Sequence, residues 1–173
     1  MLTLVACVPN NIIKDGEEYI YNDDHTLLFK NTFKKGVLHG EQLTFNHLFL
    51  VIKENYNNGK LNGQRVSCHT NGNIFSIQNY IEGKKEGSEL FFSLNKKLTH
   101  IAHFKNNELN GDEVNFNDFG ELISKKKYKL GKQDGEEFYY YSNGITRSKT
   151  VYKEGKPTLT IEYNEQGKIL KSK

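Results

Sequence analysis

The chain has 173 residues, enough for one domain with a sizeable core. Its 24 Lys/Arg against 21 Asp/Glu leave a net charge of +3, too small to argue for a nucleic-acid partner, and no apolar run reaches the length of a membrane-spanning helix. Gly 15, Tyr 10 and Phe 11, with no Trp and two Pro, suit a β-rich chain with many turns. Charge is uneven, because residues 121–173 hold 12 Lys/Arg against 7 Asp/Glu.

The chain begins "MLTLVAC". Leu4-Val5-Ala6-Cys7 resembles a bacterial lipobox, but six residues cannot hold both a basic n-region and an apolar h-region. Residues 1–11 are therefore expected to be the remnant of a lipoprotein signal whose start lies upstream or was trimmed, with Cys7 as the lipidated residue. That would place the protein in the cell envelope facing the periplasm; without lipidation it is expected in the cytoplasm. Cys7 and Cys68 alone do not make a disulfide scaffold.

From there the chain repeats. Aromatic residues recur at Phe33, Tyr56, Tyr80, Phe104, Tyr128 and Tyr152, with spacings of 23, 24, 24, 24 and 24. A glycine keeps the same step at Gly16, Gly40, Gly63, Gly87, Gly111 and Gly135. Turn signals such as "TNG" (70–72), "DFG" (118–120), "SNG" (142–144) and "EQG" (165–167) form a third mark in phase. Each repeat has room for two short strands, a tight turn and a wider loop, so residues 12–173 are expected to form one all-β domain of six to seven stacked hairpins.

The third and fifth residues after each of these glycines are apolar or aromatic throughout. They run Tyr19, Leu43, Val66, Leu90, Val114, Phe138 and Tyr21, Phe45, Cys68, Phe92, Phe116, Tyr140. This stripe is expected to be one continuous buried face, with Cys68 a small core residue. In the last complete repeat, a three-residue loop at Ser142-Asn143-Gly144, with Gly144 left-handed in a G1 bulge, would pair Tyr140 with Thr146. The alternative two-residue loop would set Phe138 against Lys149, and the three-residue register is expected to put Tyr152 beside Phe138 instead. Pro9 and Pro157 fall outside the regular middle, and Leu159 replaces the repeated glycine, as expected of atypical end repeats. Ile161 and Tyr163 restart a short final strand.

The pattern aromatic-Lys-x-Gly-Lys-x-x-Gly-Glu…Tyr-x-x-x-Asn-Gly, clearest in "YKLGKQDGEEFYYYSNG", resembles the MORN-type variant repeat. Chains built from it are similar to the bacterial YwqK-type antitoxin family, and the resemblance covers about residues 12–170. It implies an elongated, twisted antiparallel sheet of hairpins without catalytic machinery, in a family whose members are often labelled antitoxins or immunity proteins and many of which look like lipoproteins. Departures are Asn107 at a first-glycine position, His25 and Lys96 at turn-glycine positions, and a shortened repeat near His47.

Catalytic, cofactor and metal chemistry are not expected. His100 and His103, three apart on a strand, should point to opposite faces, as should Cys68 and His69. The glycines fall in hairpin loops rather than between a strand and a helix, which excludes a phosphate loop.

The face opposite the stripe is expected to carry Ile20, Leu28, Val51, Phe75, Ile77, Phe91, Ile101, Ile123, Tyr139 and Tyr141. Its basic residues would be Lys30, Lys53, Lys125, Arg147 and Lys149. An apolar middle with basic ends suits a partner-binding surface, for which Phe75, Ile77, Phe91, Tyr139, Tyr141, Arg147 and Lys149 are the candidates. The expected partner, from the resemblance, is a cognate protein toxin or effector that the chain binds and neutralises. The alternative is a structural or membrane-associated scaffold held by a lipid anchor.

Overall fold

A computed structural model of the chain describes residues 15–47 and 49–173. Segment 1–11, with the expected lipidation residue Cys7, lies outside the described residues.

Among the described residues, all regular structure is antiparallel β. The first repeats give β1 (Asp15–Tyr21), β2 (Leu27–Lys34), β3 (Val37–Leu38), β4 (Gly40–Asn46), β5 (Phe49–Asn57) and β6 (Lys60–Leu61). The middle gives β7 (Gly63–Cys68), β8 (Ile74–Ile81), β9 (Lys84–Lys85), β10 (Gly87–Phe92), β11 (Leu98–Lys105), β12 (Glu108–Leu109), β13 (Gly111–Phe116) and β14 (Leu122–Lys129). The chain ends with β15 (Lys132–Gln133), β16 (Gly135–Tyr140), β17 (Thr146–Lys153), β18 (Lys156–Tyr163) and β19 (Ile169–Ser172). Each long strand pairs with the next long strand in sequence, so the fold is one open sheet of stacked hairpins, as the repeat implied.

The three sequence marks have separate physical causes. The first glycine closes a two-residue turn with both central residues at positive φ, as at Leu130 (49°) and Gly131 (75°), the geometry that matches strand twist. Asn107, φ 71°, does this work where the glycine is missing. These tight turns stack, because Gly59, Gly83, Gly131 and Gly155 each donate their N–H to a carbonyl of the preceding turn strand at 2.8–2.9 Å. The repeated second glycine has φ between 84° and 126° from β7 to β16, and across the strand it pairs directly with the repeated aromatic residue. At this left-handed φ a glycine bears no strain, whereas any L side chain would. The third mark is the wider turn, in which Gly144 (φ 79°) donates to Tyr141 and Tyr141 donates to Ile145. His25 and Lys96 hold the same left-handed conformation at φ 62°.

The expected G1 turn and the Tyr140–Thr146 pair are present. The next residue then breaks the expected register. Arg147 has no partner on β16, so Ser148 pairs with Tyr139 and Lys149 with Phe138. Leu28, Val51, Phe75, Thr99 and Ile123 are extra residues in the same place in the other hairpins. One extra residue restores the side-chain parity that the loop had shifted. Tyr152 is therefore across the sheet from Phe138, opposite Gly135, rather than beside it. Ile77, Ile101, Lys30, Lys53, Lys125 and Lys149 likewise belong to the stripe face, not to the opposite one.

The stripe face is consequently a cross-strand row. From β2 to β17 it reads Lys30, Leu43, Lys53, Val66, Ile77, Leu90, Ile101, Val114, Lys125, Phe138 and Lys149. Each lysine meets a carboxylate on the neighbouring strand: Lys30–Glu17 at 2.7 Å, Lys53–Glu41, Lys125–Asp112 at 2.9 Å and Lys149–Glu136 at 2.5 Å. Lys149 also lies 5.5 Å from the Phe138 ring centroid.

This stripe is not the buried face that the sequence suggested. Tyr19 is 46% exposed and Ile74 41%, and the other stripe residues of the middle repeats are half-buried. Among the described residues the buried side chains are Asn31, Ser76, Gln78, Glu89, Ala102, Ser124, Glu137 and Thr150, all on the opposite, groove face. The repeated bulges add twist and bend the strands, and side chains on this face close over one another. Because most are polar, they are satisfied by hydrogen bonds passed from strand to strand. Asn31 donates to Glu18 at 3.1 Å and accepts from Gln42 at 2.6 Å; Arg65 bridges Glu54 at 2.7 Å and Gln78 at 3.2 Å; Glu89 accepts from both Gln78 and Lys85.

Candidate functional site

The groove face gathers five of the seven candidate residues in two clusters. Phe75 and Phe91 belong to the first. They lie in an edge-to-face series His69–Phe75–Phe91–His100 with centroid separations of 5.0, 5.2 and 5.6 Å. Strand β10 places Phe91 opposite Ser76 and His100, while the β8 bulge turns Phe75 onto the same face. The outer ring is pinned, because His69 Nε2 is 2.8 Å from the Phe92 carbonyl.

Tyr139, Tyr141 and Arg147 form the second cluster, four strands further along, or about 19 Å at ordinary strand spacing. Tyr139 pairs with Ser124 on one side and Ser148 on the other. Two cations approach its ring: Arg147 from β17, 5.5 Å from the centroid, and Lys126 from β14, 5.9 Å away. Tyr141 donates its hydroxyl to the Tyr163 carbonyl at 2.8 Å, so its ring is fixed against β18. These residues line an open groove of about 440 Å³ with Ser148, Glu162, Tyr163 and Leu170. Arg147 is exposed, and among the described ion pairs it has no carboxylate partner.

Between the clusters the face is polar. His100 Nδ1 lies 2.8 Å from Asn115 Oδ1, and Asn115 donates to Ser124 at 3.2 Å. The candidates are thus two patches on one face, not one surface. Ile77 and Lys149, by the register correction above, face the other way, packed in the stripe row.

Beneath the second cluster the groove floor is acidic. Glu137 is buried and accepts from Gln133 at 3.2 Å; Glu113 has Lys126 at 3.8 Å, and its Oε2 makes no hydrogen bond. Burial, and then the Glu113 carboxylate, push the Tyr128 hydroxyl up to about 12. Tyr152 is raised in the same way, by burial first and Glu137 second. A cation-clasped tyrosine above a negative floor can bind a surface that offers both a carboxylate for Arg147 and an apolar or aromatic edge for the ring.

His100 and His103 do face opposite ways. His100 bonds Asn115 on the groove face, and His103 bonds the Asp112 carbonyl at 3.0 Å from the stripe face. Among the described residues, no group of three or more His, Cys, Asp or Glu side chains could hold a metal ion.

The clusters also include Lys126, His69, Tyr163 and Leu170, none of them a candidate from the sequence. His69 was findable, since it stands at the repeat position of Tyr141. Lys126 was hidden inside "KKK", whose residues sort onto the two faces only once the Ile123 bulge is known. Comparison with protein-family models finds no match to this chain, and neither does comparison with curated proteins.

Proposed function

We propose that the protein is a non-catalytic protein-binding repeat that neutralises a cognate toxin or effector, as the MORN-type resemblance implies. It engages this partner through the groove face around Tyr139, Tyr141 and Arg147. The observation that carries the reading is the pre-ordered stack Lys126–Tyr139–Arg147 beside a hydroxyl-fixed Tyr141. Tyr and Arg held in place before binding lose little conformational freedom when a partner arrives, which is how binding anchors gain affinity. The unpaired Arg147 adds a preference for a partner carrying a carboxylate.

The test has two arms. The tagged chain should co-purify with one stoichiometric protein from native lysate, and co-expression should relieve the growth defect that this protein causes when expressed alone. Tyr139→Ala with Arg147→Ala should weaken that complex about a hundredfold or more, as for paired anchor residues. A partner that binds the double variant as tightly as the parent would remove the groove from the proposal. A partner that is harmless when expressed alone would remove the toxin.

A further inference from the structure

We infer that the stripe face is a self-association surface, and that a second copy of this chain packs on it face to face about a two-fold axis through Leu90. The stripe row is palindromic about that residue. Ile77 and Ile101 flank Leu90, then Val66 and Val114, then Lys53 and Lys125, each at equal strand counts on either side. A two-fold axis parallel to the strands reverses strand order and keeps each row in place. It therefore sets Leu90 on its own copy, Ile77 on Ile101 and Val66 on Val114. A two-fold interface requires this self-complementarity, in which i meets j and j meets i.

Charge follows the same symmetry. Lys53 carries Glu41 beside it, and Lys125 carries Asp112. On the two-fold, the Lys53 ammonium of one copy comes to the Lys125–Asp112 pair of the other, so each lysine gains a second carboxylate within reach. The ion pairs thus form a rim at both ends of an apolar centre five strands wide.

Packing requires this as well. A one-layer sheet leaves its apolar face in water, and stable domains bury such a face against a second layer. Here Val66, Leu90 and Phe92 remain only half-buried, and Ile74 is exposed beside a hollow of about 360 Å³ that Phe92 also lines. Twisted sheets packed face to face diverge away from their centre, which confines contact to the middle strands. Five strands of six residues give a footprint of roughly 500 Å² per copy, about 1,000 Å² in both, at the lower end for a specific complex. The dimer is therefore weak, with a dissociation constant of about micromolar order. Its formation leaves the groove face open, so this inference and the proposed toxin site stand or fall separately.

Sedimentation velocity on the full chain over a concentration series tests it. The parent should shift from monomer to dimer. Leu90→Lys should raise the dissociation constant about tenfold or more by placing two ammonium groups on the axis. Tyr139→Ala, on the groove face, should leave it unchanged. In a background with Cys7 and Cys68 replaced by Ser, Leu90→Cys should be joined to its own copy by a short bis-maleimide, since facing sheets sit about 10 Å apart. Val66→Cys alone should not be joined, but should be when mixed with Val114→Cys. A parent that stays monomeric at about 100 µM, well above the expected constant, would overturn the inference. So would a dimer that survives Leu90→Lys, or equal cross-linking of Leu90→Cys and Val66→Cys; these outcomes would assign the stripe face to another partner or the dimer to the sheet edges.

Discussion

The middle of the sheet and its flanks share one backbone but differ in what it carries. On the stripe face the flanks place Lys30, Lys53, Lys125 and Lys149 against Glu17, Glu41, Asp112 and Glu136. In the middle, the same row positions hold Ile77 and Ile101, and the positions of the acids hold Gln64 and Ser88. Both members of the pair change together. The lesson is that the hairpin register fixes which residues meet, while the side chains decide whether that meeting is an ion pair or apolar contact. The same device builds a charged rim and an apolar centre without any change of fold.

What both regions share should be the most costly part to break. Gly111 has φ 126°, and a Cβ built on it would sit 3.0 Å from the His103 Cβ. Gly135 is similar, with Lys127 side-chain atoms at 3.0 and 3.2 Å, whereas Gly87, φ 84°, has nothing within 4 Å. Gly111→Ala and Gly135→Ala should each cost about 2–3 kcal/mol, and Gly87→Ala only about 1 kcal/mol, because the last bears conformational strain without a clash. Urea midpoints at constant m-value measure this. Equal losses at all three would mean that the close approach contributes nothing.

This shared backbone was legible in the sequence. The 24-residue step, the turn glycines and the Tyr140–Thr146 pair all followed from composition and spacing, since a glycine opposite an aromatic residue leaves a mark on every repeat. The faces were less legible. Arg147 and Phe75 look like ordinary strand residues, yet each is the extra residue of a bulge, and each reverses the parity of all that follows on its strand. Ile77 and Lys149 were assigned to the wrong face for that reason alone. Burial misled as well. An apolar stripe normally marks the core, but in a one-layer sheet bent by bulges the crowded face holds Gln78, Glu89 and Glu137 instead.

Exchanging side chains between the two regions separates their energetics. Ile101→Lys carries the flank residue into the middle and should cost about 1–2 kcal/mol through lost apolar contact with Leu90 and Val114. Adding Ser88→Asp rebuilds the flank pair and should return about 0.5 kcal/mol. The reverse exchange, Lys125→Ile with Asp112→Ser, should be close to neutral in stability, because the ion pair it removes is largely solvated. A large loss in the reverse exchange would show that the ion pairs hold the flanks together.

On the groove face the regions differ in titration. The aromatic column carries Tyr80 and Phe104 in the middle and Tyr128 and Tyr152 beyond it, the last two each beside a carboxylate. Burial pushes Tyr128 up to about 12 from 10 in the unfolded chain. The folded state then binds its proton more tightly, so the contribution is whole below pH 10 and is lost as pH rises through 12. The loss should be of order 1 kcal/mol, allowing for solvent screening of a partly exposed ring. Urea midpoints from pH 9 to 12 should fall for the parent, and the Tyr128→Phe variant should show a shallower decline. Identical slopes would place the titration elsewhere in the sheet.

The smallest effect separates two ion pairs made by strand β5, Lys53 with Glu41 on β4 and Glu54 with Arg65 on β7. Lys53–Glu41 lies on the stripe face with side chains 46% and 36% exposed, whereas Arg65–Glu54 lies on the groove face at 26% and 14%. Exposed charges keep most of their hydration and gain little from pairing, while the half-buried guanidinium also bridges Gln78 and so orders a polar network. Double-mutant cycles to Ala should give a coupling of about 0.3 kcal/mol for Lys53–Glu41, vanishing near 1 M salt, where the Debye length is about 3 Å. The Arg65–Glu54 coupling should be about 1 kcal/mol and persist in salt. If the two couplings are equal at low salt and fall together, the difference in burial between the two faces has no electrostatic consequence. The groove face would then owe its order to its hydrogen bonds alone.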